Sequence, residues 1–94
     1  MARLVIFGAG DIARLAHFYF TTDTEHEVAA FAVDAAYRQA DTLLGLPLCD
    51  AESLAEAFPP SGYEMFIALS YASMNRLRAG KYQLYRDKGY TLAS

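Results

Sequence analysis

Arg3-Leu4-Val5-Ile6-Phe7-Gly8-Ala9-Gly10-Asp11-Ile12-Ala13-Arg14, or RLVIFGAGDIAR, is the stretch on which the fold of this chain turns. Leu4 to Phe7 is a continuous apolar run with two β-branched residues, closed by a glycine turn. Such a run reads as a strand buried on both faces, the signature of a parallel sheet. A helical pattern begins directly after the turn, with apolar positions at Ile12, Leu15, Ala16, Tyr19 and Phe20.

Working outward, Thr21 to Thr24 is a polar loop and Val28 to Val33 (VAAFAV) is a second buried strand ending at Asp34. Strand, helix and strand span about 30 residues, the size of one βαβ unit. A crossover of this kind is right-handed in nearly all cases, so the two strands are parallel. Ala35 to Thr42 reads as loop. Leu46-Pro47-Leu48 suits a short edge strand, where proline is tolerated. Asp50 is placed to cap a second helix, Ala51 to Phe58, stopped by Pro59-Pro60. Met65 to Leu69 (MFIAL) is a third buried strand. Ser73 is placed to cap a last helix running to Lys88, with Gly89 closing it, and Tyr90-Thr91-Leu92 starts a further strand. Gly80 inside that helix suggests a close approach to the sheet. The prediction is a three-layer α/β domain with a parallel sheet, the strands ending at Phe7, Val33 and Leu69 lying inside it.

The chain is 94 residues long, which bounds it to one domain, and is 54% hydrophobic and 20% charged, enough to bury a core. The net charge of −3 and pI near 5.2 offer no electrostatic footprint for nucleic acid. The single cysteine, Cys49, cannot form an internal disulfide and reads as a small buried residue. No basic region precedes a long apolar stretch at the N-terminus, so a signal peptide is not expected, and no apolar run reaches the roughly 20 residues that span a bilayer. A cytoplasmic, soluble domain is expected, cut from a longer protein, because the final strand begins just before the sequence stops.

Gly8-Ala9-Gly10-Asp11-Ile12-Ala13 fits G-x-G-x-x-G/A with alanine in the last place. The first glycine makes the turn, the second lets a phosphate approach the backbone, and the last small residue lets helix and strand pack. An anion there meets free N–H groups at the positive end of a helix. Asp34 closes the second strand 24 positions after Gly10, where a carboxylate can accept hydrogen bonds from a ribose or a base and would repel a 2′-phosphate. The alternative is a tight turn with no ligand, and Asp11, whose carboxylate sits where a phosphate would lie, weighs towards it. His17 and His26 have no metal-ligand spacing with each other or with Cys49. No Ser/His/Asp or Cys/His set suggests a nucleophile. Tyr37, Tyr63, Tyr71, Tyr82, Tyr85 and Tyr90 suggest half-exposed packing or a partner contact. Ser70-Tyr71 follows the third strand at the carboxyl edge, where ligands of open α/β sheets collect.

VIFGAG, the strand ending in Asp34, GLPLCDAESL, MFIALS, an Asn-x-x-Arg helix and GY, in this order, resemble the N-terminal domain of the hexapeptide-repeat sugar acyltransferases. These enzymes acylate nucleotide-linked amino sugars. The resemblance covers essentially the whole chain and implies a Rossmann-like domain that binds a UDP-type sugar nucleotide. It also implies a C-terminal left-handed β-helix, absent before Ser94, that forms a homotrimer, binds acetyl-CoA and supplies the catalytic histidine. The isolated domain is then expected to be monomeric. By position, Gly8, Ala9 and Gly10 would face the diphosphate and Asp34 the uracil or ribose. Ser70, Tyr71 and Asn75 would border the sugar nucleotide, with Arg78 a phosphate partner. Many members read Gly-Gly-His where this chain has Gly10-Asp11-Ile12, and carry lysine where it has Arg14, so the substrate-contacting residues here include Asp11, Ile12 and Arg14. A dinucleotide-binding module of the NAD type and an assembly domain with a vestigial pocket are the alternatives. The first would use the same turn and acid.

Overall fold

The computed structural model describes the backbone of residues 3–68 and 74–93 and the side chains of 3–68 and 80–93. In chain order the elements are β1 (Arg3–Phe7), α1 (Asp11–Asp23), β2 (Glu27–Val33), β3 (Thr42–Leu43), β4 (Leu46–Asp50), α2 (Leu54–Ala57), β5 (Glu64–Ile67), α3 (Met74–Asp87) and β6 (Thr91–Leu92). The six strands form one sheet in the order β3-β4-β2-β1-β5-β6. Every pairing is parallel except the terminal β3–β4 hairpin. The continuous apolar run of β1 is thereby explained. β1 lies between two parallel neighbours, and helices cover both of its faces.

Side-chain alternation divides the core into two halves. Leu4 and Ile6 of β1 point to the α1 side and pack with Ala13, Ala16, Phe20 and Phe31. Val5 and Phe7 point the other way, to Leu54 of α2 and Tyr85 of α3, with Met65 and Ile67 of β5 beside them. Leu4, Val5 and Ile6 are completely buried. The fold is a mostly parallel α/β sandwich of three layers, and the predicted strands at Phe7 and Val33 lie inside its sheet as expected. The third inner strand is observed to Ile67. Its expected end at Leu69, like the cap at Ser73, lies outside the described residues.

Several local expectations are corrected. Leu46–Asp50 is not the sheet edge, because the two-residue strand β3 pairs outside it, Thr42 opposite Pro47. Proline is tolerated there because β4 pairs with β2 only from Leu48 onward, so Pro47 removes no bond from that ladder. The β3–β4 turn holds Leu44 at φ 52° and Gly45 at φ 80°, two successive left-handed residues. Asp50 does not cap a helix over 51–58. Its carboxylate accepts from Arg38 Nε at 2.6 Å. The segment instead forms a 3-10 turn at Ala51–Ser53 followed by the single-turn α2. Gly80 is exposed and a Cβ there would meet nothing within 4 Å, so it provides no close helix–sheet approach.

Candidate functional site at the carboxyl edge of the sheet

β1 and its two neighbours are parallel, so Phe7, Val33 and Ile67 end at the same edge of the sheet. The chain leaves β1 towards β2 on one side and reaches β5 on the other only later. That makes the β1–β5 boundary a switch point, where an open α/β sheet leaves a crevice outside its carboxyl ends.

The two glycines of the turn differ in what they answer to. Gly8 N–H donates to Ala32 O at 2.7 Å, while Ala68 N–H donates to Phe7 O at 2.8 Å, so the turn starts pinned to both neighbouring strands. Gly8 has φ 132°, and a Cβ would lie 2.6 Å from Ala68 O. The fold alone requires glycine there. Gly10 is different. Its φ of −91° and ψ of −161° are open to any residue, and a Cβ would meet nothing within 4 Å. Gly10 is also the N-cap of α1 and makes no side-chain cap hydrogen bond, while the first turn carries the acidic Asp11.

Asp34 follows β2 at this edge. Lys81 of α3, 47 positions away in sequence, donates to both of its carboxylate oxygens, at 2.9 and 3.1 Å. The same ammonium lies 4.8 Å from the centroid of the Phe7 ring, a cation–π contact next to the glycine turn. One helical turn further along α3, the Tyr85 ring packs against Phe7. Tyr85 is 1% exposed, and its hydroxyl has no hydrogen-bond partner among the described residues. Burial first, then the nearby charge of Asp34, pushes this phenol well above the usual tyrosine range, so it is a neutral donor.

The loop after Asp34 is clamped from β4 and the 3-10 turn beyond it. Ala35 N–H donates to Glu52 Oε1 at 3.0 Å. Arg38 donates to Asp50 and to Asp41, each at 2.6 Å, and to Ala40 O at 3.2 Å. Asp41 and Asp50 together hold Arg38 firmly charged.

The chain matches no family model, no curated protein and no solved structure in these comparisons. The site is therefore read from its own geometry.

Of the residues selected from the sequence, the structure gathers Gly8, Ala9, Gly10 and Asp34 at this edge. Asp11 and Arg14 are exposed on the first turns of α1. Ile12 lies on the flank of α1, where it lines an apolar groove of about 420 Å³ with Leu15, Tyr19 and Phe66. Ser70 and Tyr71 lie outside the described residues. Asn75 and Arg78 fall in the first half of α3, and their side chains lie outside them too. Sequence reasoning missed Lys81, Arg38 and Glu52, whose contacts with Asp34, Asp50 and Ala35 form only through the tertiary fold. Only Arg38-x-x-Asp41 had a local signal.

The remaining polar groups are elsewhere. His26 sits at the opposite edge of the sheet, between Thr24 Oγ1 at 3.2 Å and Glu64 Oε1 at 3.3 Å. His17 packs on Phe31. No group of three potential metal ligands occurs among the described residues. Cys49 is half-buried, and desolvation followed by the charge of Asp50 pushes its thiol up, away from nucleophilic reactivity. Among the described residues no helix is long and apolar enough to cross a membrane.

Proposed function

We propose that this chain is a Rossmann-like nucleotide-binding domain whose ligand is a UDP-type sugar nucleotide, held with its diphosphate over Gly8-Ala9-Gly10 and its ribose at Asp34. The observation that carries the reading is Gly10. Neither backbone conformation nor packing asks for glycine there, yet a diphosphate does, because any side chain would stand between it and the first-turn N–H groups of α1. The sheet supports the reading. Counting only the parallel strands, their order is third-second-first-fourth-fifth, the arrangement of the mononucleotide-binding half of such sheets and its continuation.

In this reading the resemblance to the sugar acyltransferases supplies the wider role. The domain presents a nucleotide-linked amino sugar in the cytoplasm, and a β-helix domain of the parent, trimeric and loaded with acetyl-CoA, transfers the acyl group. In that division of labour, binding and orientation of the nucleotide sugar are this domain's contribution. An NAD-type module is the second reading, favoured by the carboxylate at the end of β2, the usual partner of a ribose diol.

Calorimetry with UDP, UDP-N-acetylglucosamine, NAD and NADP tests the proposal. UDP compounds are expected to bind and Gly10→Val to abolish binding. Binding of NAD in preference to UDP compounds transfers the assignment to the second reading. Absence of binding by all four ligands overturns both.

A further inference from the structure

The loop after β2 presents a side chain that the diphosphate and ribose do not use. Tyr37 is 74% exposed, more than any other large hydrophobic side chain among the described residues. It is the third residue after Asp34 and ends the 3-10 turn Ala35–Tyr37. Its backbone is fixed on both sides. Tyr37 N–H donates to Asp34 O at 2.8 Å, Arg38 N–H donates to Ala35 O at 3.3 Å, and the Glu52 and Arg38 bonds clamp the loop to the β4 side of the sheet. A tyrosine on a clamped backbone has only two side-chain torsions to order, so contact through its ring costs little entropy.

Position along the edge selects what that ring meets. The sheet runs β1, β2, β4 in space, with neighbouring strands about 4.8 Å apart. A nucleotide whose diphosphate lies over the end of β1 and whose ribose lies at the end of β2 has its base one strand further out. That is the side on which the Asp34–Asp50 loop carries Tyr37. Every nucleobase offers a π-face there, and aromatic stacking needs no hydrogen-bond code.

We propose that Tyr37 is the base-stacking residue of this crevice, its ring lying against the nucleobase of a bound nucleoside diphosphate. The proposal rests on the nucleotide reading of the site, and its test separates the two. UDP and inorganic pyrophosphate are titrated into the wild-type chain and into Tyr37→Ala, Tyr37→Phe and Tyr37→Trp. Tyr37→Ala is expected to weaken UDP by about 5- to 150-fold, the usual range for losing one stacking platform, and to leave pyrophosphate unchanged. Tyr37→Phe keeps wild-type affinity, because the ring and not the hydroxyl acts. The chain contains no tryptophan, so Tyr37→Trp introduces a single tryptophan that can be excited apart from the tyrosines, its emission expected to be quenched by UDP and not by pyrophosphate. Thermal midpoints of the variants stay at the wild-type value, since the side chain is exposed. Equal UDP affinity of wild type and Tyr37→Ala overturns the stacking proposal and leaves the nucleotide reading standing. A Tyr37→Phe variant as weak as Tyr37→Ala also overturns it. A wild type that binds no UDP overturns the nucleotide reading, and the stacking proposal with it.

Discussion

Lys81 shows how much one residue can tie together. Its ammonium meets both oxygens of Asp34 and the face of Phe7, joining α3, the end of β2 and the end of β1 at one point. The side chains are 16% and 34% exposed, so the pair is neither a screened surface contact nor a fully desolvated one. Lys81→Met is expected to destabilise the fold by about 1–2 kcal/mol, and a double-mutant cycle with Asp34→Asn to give a coupling of about 1 kcal/mol, measured by urea unfolding. A coupling near zero would make the contact incidental. Tyr85 makes the opposite case. Its hydroxyl is buried without a partner among the described residues, and a polar group left in that state costs about 1–3 kcal/mol. Tyr85→Phe keeps the ring against Phe7 and Tyr90 and is expected to be neutral or stabilising by up to about 1 kcal/mol. A loss above 1 kcal/mol would mean that the hydroxyl has a partner after all.

At the scale of elements, the β3–β4 hairpin carries a visible local conflict. Leu44 is held at φ 52° ahead of Gly45, where a branched side chain costs about 1–2 kcal/mol relative to residues that tolerate the left-handed region. Asn-Gly is the pair this turn prefers, and Leu44 is half exposed, so little packing is lost. Leu44→Asn is expected to stabilise by about 1 kcal/mol and raise the thermal midpoint by about 4–8 °C. The same hairpin marks the limit of what the sequence makes legible. Strands β1, β2 and β5 were readable because burial on both faces leaves long apolar runs, and α1 because one face repeats. β3 and α2 were not. A two-residue strand has no period, and α2 lost its expected cap when Arg38 engaged Asp50, a pairing set by tertiary placement. The candidate site divides in the same way. Its backbone part, Gly8 to Gly10, is contiguous and announces itself. Lys81 and Glu52 come from distant segments that only the tertiary fold brings to Asp34 and Ala35.

Across the whole molecule, the two glycines separate what the fold needs from what the proposed ligand needs. Gly8 lies at the centre of the sheet, hydrogen-bonded to β2 and against the carbonyl of Ala68, with a backbone angle that L-residues avoid. Gly8→Ala must push that backbone contact apart, so a loss of about 2–4 kcal/mol is expected, with or without ligand. Gly10 has an ordinary conformation and open space around it. Gly10→Val changes only the identity of a helix N-cap, at about 1 kcal/mol or less. Mass action links this to binding. A ligand at 100 times its dissociation constant adds about 2.7 kcal/mol to the folded state, which for a domain of this size is a rise of about 10–20 °C in the thermal midpoint. The expected pattern in thermal melts with and without saturating UDP is therefore crossed. Wild type gains the full shift, and Gly10→Val melts near the unliganded wild type and gains none. Gly8→Ala starts far lower and, where it still folds, keeps part of the shift because its first-turn N–H groups are intact. If Gly10→Val kept the shift, the diphosphate would not lie over Gly10. If it melted as low as Gly8→Ala, the second glycine would serve the fold rather than a ligand.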